Sequence, residues 1–375
     1  MIVREDKNMA EKSREKESEQ SGKRHGSPLR VFLTIMGVLI ILIVGVIVTL
    51  NVSPIPGSLL IRKIFDSPPP APPEDMRYEA EVIVSRDISY GNSGDEVFDL
   101  YLPAANKGME SRESKEGSLP LIIWVHGGAF VGGDKVDVEY LARALAVNGY
   151  AVACINYSRA PEAAYPTPVL QTGLAYVFLT NNKYPGSDRV DTGRVFLAGD
   201  SAGAHIAAQF ANLQTNLDYR AGFLSAHSIH ESMDFPGLIS KDVLRGVLLY
   251  CGPYSMQQLL DAENPMFKVL VHQTGWAYFK DKDPARGQYS VEADIIQNVT
   301  RDFPPAFITD GNTLSFPQHA KELMARLSAL GATYHELFFD ENPALIVHEY
   351  QFDLTKDAGL QALEEALRFL DEQLK

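Results

Sequence analysis

Cysteine and tryptophan are almost missing from this chain, with two of each in 375 residues. Two cysteines, Cys154 and Cys251, exclude a disulfide-stapled scaffold and any metal site built on several thiolates. Positive charge is also in deficit. Against 48 Asp and Glu stand 34 Lys and Arg, a formal net charge of −14. A nucleic-acid binder needs a basic face, so nucleic acid is not an expected partner. What the chain does have is apolar residues, 45% of the total, enough to bury a large core.

Charge is wholly absent from one stretch. Residues 31–50, from Val31-Phe32-Leu33 to Val48-Thr49-Leu50, carry no ionisable side chain. Twenty residues rising about 1.5 Å each cross a ~30 Å hydrocarbon layer. A cleaved signal peptide has a shorter apolar core and a small-residue cleavage site after it, and a buried helix is rarely so uniform. The reading is a single transmembrane helix in the cell membrane. Residues 1–30 hold eight basic and six acidic side chains without apolar periodicity, the composition of a disordered tail. Lys16, Lys23, Arg24 and Arg30 precede the span, and only Arg62 and Lys63 follow it closely. That bias places the tail in the cytoplasm and the remainder outside it. Residues 51–77, with Pro54, Pro56 and Pro68-Pro69-Pro70-Ala71-Pro72-Pro73, read as a stiff Pro-rich linker. It would hold an acidic domain off an anionic lipid surface.

From 78 to 375 short apolar strands alternate with helical stretches, which predicts an α/β domain. Its chemical centre is Val195-Phe196-Leu197-Ala198-Gly199-Asp200-Ser201-Ala202-Gly203-Ala204. An apolar strand, a very tight turn and an alanine-rich helix follow one another with Ser201 at the apex. Gly199 and Gly203 are required because side chains there would crowd the turn. The helix N-terminus, with the Ala202 amide, faces the serine and is placed to bind an oxyanion. A second glycine loop, His126-Gly127-Gly128-Ala129, ends the strand Leu121-Ile122-Ile123-Trp124-Val125 one loop upstream. By position it offers the other oxyanion donors: Gly128 and Ala129, with Gly127 as hinge and alternative.

These segments, with Tyr157-Ser158-Arg159-Ala160-Pro161-Glu162 between them, resemble the hormone-sensitive-lipase-like esterases of the α/β-hydrolase fold. The resemblance covers 78 to the C-terminus. It implies a mostly parallel eight-stranded sheet with helices on both faces and a cap inserted after the sixth strand, here about 252–300. The chain departs from the pattern at Ala129, where a third glycine is usual, and at Ser158. Arg159 and Glu162 read as an ion pair bracing a loop. The cap region holds Tyr254, Phe267, Trp276, Tyr278, Phe279 and Tyr289; singly each is core material, and as a group they suggest an apolar substrate pocket. Residues 213–243 read as polar and irregular, and 106–118 as a surface loop.

A serine hydroxyl needs a base, which this fold places after the last strand. Of nine histidines, only His348 lies between the strand 332–339 and the final amphipathic helix, so His348 is the expected base. The acid is less direct. The resemblance puts an aspartate where this chain has Leu314. Asp310, at the end of the seventh strand in the same loop, is the nearest carboxylate; Asp261 and Glu349 are the alternatives. The expected function is hydrolysis of a carboxylic ester through an acyl-enzyme on Ser201, without metal or organic cofactor. Acyl transfer or peptide cleavage by the same residues, or a silent binding domain on a membrane stalk, are the other readings.

Overall fold

The computed structural model describes residues 28–66, 71–104, 118–230, 235, 237–262, 264–339 and 344–375. Residues 1–27 of the expected tail, the triple proline 68–70 and nearly all of the loop 106–118 lie outside these, while residues 28–30 of the tail are helical. The chain divides into two compact units, Met1–Ser53 and Pro54–Lys375. In the first, helix α1 (Pro28–Val52) covers the uncharged stretch and extends it slightly at both ends, with none of its apolar span buried.

The second unit begins with a difference from the expected linker. Residues Ile55–Phe65 form helix α2. Pro56 falls in its first turn, where a missing N–H costs nothing, and Gly57, Ser58 and Ile61 are buried. The domain therefore starts at Pro54, not near 78.

The sheet has eight strands: β1 (Val82–Ser89), β2 (Val97–Pro103), β3 (Leu119–Val125), β4 (Ala151–Ile155), β5 (Val190–Asp200), β6 (Leu244–Tyr250), β7 (Ala306–Thr309) and β8 (Tyr334–Leu337). Their spatial order is β1-β2-β4-β3-β5-β6-β7-β8. β2 runs antiparallel to β1 and to β4, and every other pairing is parallel. β3 and β4 are buried at every position, as parallel strands covered on both faces must be. Alternation sorts their side chains: Leu121, Ile123 and Val125 enter one core layer, Ile122 and Trp124 the other.

Helices α3 (Glu139–Val147), α4 (Thr167–Asn181) and α5 (Ala202–Thr215) are the early crossovers. After α5, α6 (Leu217–Ala226) occupies part of the segment expected to be irregular. Asn216 caps it, its side-chain oxygen accepting from the Tyr219 N–H at 3.0 Å, a start signal that the polar composition concealed. Between β6 and β7 the expected cap is α7 (Met256–Leu260), α8 (Pro265–Phe279), α9 (Gln288–Glu292) and α10 (Ile295–Asn298). α11 (Pro317–Leu330) precedes β8, and α12 (Asp357–Glu372) closes the chain, burying Ala362, Ala366, Phe369 and Leu370. Cys154 and Cys251 are free and buried, with β3 and β5 between their strands.

Arg62 of α2 ties the start of the domain to the loops beside the site. Its Nε donates to the Val131 carbonyl at 2.6 Å and its Nη2 to the Ala160 carbonyl at 2.7 Å, and the guanidinium pairs with Glu162. Arg159 donates to the Gly133 carbonyl at 2.8 Å and lies 3.5 Å from Asp66. The expected Arg159–Glu162 pair is thus replaced by two pairs that reach across to α2. Arg62→Ala should cost roughly 1–3 kcal/mol, the worth of charged hydrogen bonds to carbonyls left buried. Urea unfolding of the full chain measures this, and Arg62→Lys should recover only part of it because one ammonium cannot copy the fork.

Candidate active site

The carboxyl ends of β3, β5, β6 and β7 bring the chemistry together. β5 ends at Asp200, and Ser201 adopts φ 50° and ψ −120° before α5 begins, a conformation that a β-carbon normally avoids. Close packing enforces it. A β-carbon on Gly203 would stand 2.0 Å from the Val125 carbonyl, and one on Gly199 would stand 2.4 Å from the Gly203 backbone. The turn is pressed between its own helix and β3, so glycine is needed on both sides.

The glycine loop lies against this turn. The Gly127 N–H donates to Asp200 Oδ2 at 2.8 Å, and the other carboxylate oxygen accepts from Trp124 Nε1 at 2.7 Å. Gly127 therefore has its N–H engaged and is removed from the expected oxyanion donors. Gly128 takes φ 108°, and no described hydrogen bond uses the N–H of Gly128, Ala129 or Ala202. The Ala202 N–H is among those a helix start leaves without an intrahelical acceptor. His126 pins the loop: its Nδ1 lies 2.7 Å from the Gly127 carbonyl and its ring stacks on Tyr157 at 4.4 Å.

His348 comes to the serine from the loop after β8. Its Nε2 is 2.9 Å from Ser201 Oγ. Its Nδ1 does not meet Asp310; it lies 2.7 Å from Ser315 Oγ, and the Ser315 hydroxyl in turn donates to Asp310 Oδ1. Asp310 thus reaches the imidazole through one serine. Leu314, where an aspartate was expected, points away and is 90% exposed. Burial lowers the His348 pKa to about 4, so the ring is neutral at pH 7 and can accept a proton. Burial raises Asp310 to about 7, while hydrogen bonds from Ser315 and from backbone amides oppose the rise.

The two alternative acids stand elsewhere. Asp261 is an exposed residue at the C-terminus of α7. Glu349 lies 3.9 Å from His348 Nε2, on the serine side of the ring, and its carboxyl is hydrogen-bonded to Asp200. Ser315 is the residue that the sequence reading missed. The available signal was a hydroxyl beside Leu314, inside the loop already singled out.

A cavity of about 590 Å³ opens here, lined by Gly127, Gly128, His348 and Glu349 together with Ile64 and Phe65 of α2. That volume suits a small organic ligand. None of the six cap aromatics is among the residues that line this cavity. Tyr278 stacks on Phe130 at 4.2 Å, joining this region to the glycine loop, and Tyr254 is fully buried. Among the described residues, Cys251, Asp310 and His348 offer ligand atoms within 4.8 Å of one another. A metal there would have to displace the Ser315 bond from Nδ1.

The BD-FAE family profile matches residues 98–320. Arabidopsis thaliana isoprenylcysteine alpha-carbonyl methylesterase is 35% identical over 127 residues, 33% of this chain and 27% of that protein. The match thus spans about a quarter of that relative. "Probable carboxylesterase 6" of the same plant is 38% identical over 117 residues, 30% of this chain and 33% of that one. Among solved structures, esterase B from "Lactobacillus Rhamnosis" superposes with a TM-score of 0.62 at 22% identity, covering 78% of this chain and 86% of its own. The Pyrobaculum calidifontis esterase gives 0.56 at 18%, covering 84% and 90%. These structural likenesses establish the α/β-hydrolase fold.

The contact at Gly203 is the most confined in the site. Gly203→Ala should destabilise the domain by roughly 3 kcal/mol, the upper end for overpacking against a backbone that cannot retreat. Chemical denaturation beside Gly222→Ala, where a β-carbon meets nothing within 4 Å, separates this from a general effect.

Proposed function

The chain belongs to the BD-FAE family, and from that premise we propose that it is a membrane-anchored serine carboxylesterase. The observation that carries the reading is the continuous chain Ser201–His348–Ser315–Asp310, with hydrogen-bond geometry at each link. Ser201 Oγ attacks the ester carbonyl while His348 Nε2 takes its proton. The Nδ1–H donates to Ser315, whose own hydroxyl donates to Asp310, so the carboxylate stabilises the imidazolium through an oriented dipole. The amides of Gly128, Ala129 and Ala202 stabilise the tetrahedral oxyanion. The alcohol leaves with the proton from His348, and water repeats the sequence to release the acid. A silent binding domain was motivated by Leu314; the Ser315 bridge removes that motive. The esterase names of the relatives support an ester as substrate. In this reading α1 is the anchor, with the N-terminus cytoplasmic and the domain outside.

Hydrolysis of a short aryl ester by the full chain in detergent tests the reading. Ser201→Ala should abolish both turnover and labelling by a fluorophosphonate; failure of wild type to react with either sinks it. Ser315→Ala should lower kcat by roughly 10²-fold with little change in KM, the usual scale for a misdirected general base. The pH profile carries the sign of the acid. His348 is neutral above about 4, while Asp310 becomes a carboxylate as pH passes about 7. So kcat/KM should climb through pH 7, and Asp310→Asn should be slower and flat across that limb.

A further inference from the structure

α2 is amphipathic the wrong way round for a surface helix. Gly57, Ser58 and Ile61 face the domain. Its outward side carries Ile55, Leu59, Leu60 and Ile64, between 40% and 65% exposed, and no acidic residue. Lys63 is the charged residue on that side, and a lysine stem can lie along apolar surface with its head in water.

This face runs into the mouth of the catalytic cavity. Ile64 and Val347 line the same cavity as His348, and Val347 is 49% exposed. Around the histidine the apolar rim continues. Leu345 is 77% exposed and Leu314 is 90% exposed, and Thr313 bridges to Val347 in parallel register. Three chain segments, two of them far from α2 in sequence, thus leave large apolar side chains in water around one opening, which marks an interaction surface.

Connectivity selects the occupant. Val52 ends the apolar helix and Ile55 opens α2. The three steps from Val52 to Ile55 reach at most about 10 Å even when extended, comparable with the headgroup layer on one side of a bilayer. If α1 spans, α2 starts at the membrane surface. We propose that the outward face of α2 and the rim residues Leu314, Leu345 and Val347 dock into the bilayer that α1 crosses, so that an apolar ester enters the cavity from the lipid. This reverses the expectation of a domain held off the membrane by a stiff linker. It rests on the proposed anchor and esterase activity.

The test uses the full chain in phosphatidylcholine vesicles. Leu60→Cys, Leu345→Cys and, as a control at the opposite strand ends, Asp242→Cys are each labelled with an environment-sensitive fluorophore. The native thiols are buried. Doxyl lipids should quench the probes at 60 and 345 several-fold more than the probe at 242. Equal quenching at all three overturns the docking. The double variant Leu60→Asp, Leu345→Asp should lose about tenfold in kcat/KM on a long-chain ester carried in the vesicle, and stay within about twofold on a short soluble ester, because the lost apolar area acts only at the interface. An equal loss on both substrates also overturns it. If wild type hydrolyses neither ester while the probes are quenched, the esterase reading fails and the docking stands. Release of the chain by alkaline carbonate overturns the anchor, and quenching measured beforehand still decides the docking.

Discussion

Asp200 holds two loops in one geometry, and the rest of the site depends on it. Its carboxylate accepts from the Gly127 amide and the Trp124 indole while its backbone forms the last step into the Ser201 turn. One of the chain's two tryptophans is therefore engaged in fixing a carboxylate, and it also stacks on Tyr250 of β6, across β5, at 5.3 Å. The glycine loop cannot drift from the nucleophile without breaking a buried charged hydrogen bond, one of the stronger links available to a protein. That link leaves Gly128 free to present its amide, since its neighbour's is already engaged.

The same constraint explains why the elbow was legible in sequence and the acid was not. Gly199 and Gly203 are dictated by backbone atoms of β3 and α5, so the motif carries its reason in local chain geometry. His348 was found by chain order, because the fold leaves one histidine in the loop after the last strand. Asp310 is the nearest carboxylate in the loop that the resemblance points to, and the structure puts Ser315 between it and the ring; the intervening Ser315 depends on which way each side chain turns at a residue with positive φ, Leu314 at 51°. A linear pattern does not encode that rotation. The start of the domain was misread for a related reason. In the sequence the prolines at 54 and 56 read as spacer material, whereas Pro56 sits in the first turn of a helix, where proline is well tolerated. The contacts that fix α2, those of Arg62 to Val131, Ala160 and Glu162, join residues about 70 to 100 positions apart.

A displaced acid has a cost in electrostatics and a gain in orientation. Reaching the imidazole through a hydroxyl lengthens the separation between carboxylate and ring, and Coulomb attraction falls with it. Burial compensates in part, because a low local dielectric strengthens whatever attraction remains. Ser315 also fixes the tautomer. It can donate one hydrogen and already gives that to Asp310, so it must accept from Nδ1. The proton is thereby placed on Nδ1, and Nε2 is left as the acceptor facing Ser201.

The remaining carboxyl, Glu349, determines how much negative charge an oxyanion would meet. It sits beside the base, hydrogen-bonded to Asp200, and both burial and the Asp200 charge raise its pKa well above the carboxylate range. Asp200 already accepts two N–H donors, so the shared proton belongs on Glu349, which then donates to Asp200. In that arrangement Glu349 and His348 are both neutral before reaction, and in the proposed mechanism the imidazolium and the oxyanion arise together as a pair. An ionised Glu349 would instead put a like charge next to the developing oxyanion. The Asp200–Glu349 pair therefore does more than brace the elbow: by holding one proton between two carboxyls it leaves a single negative charge, on Asp200, where two would otherwise stand beside the proposed oxyanion site.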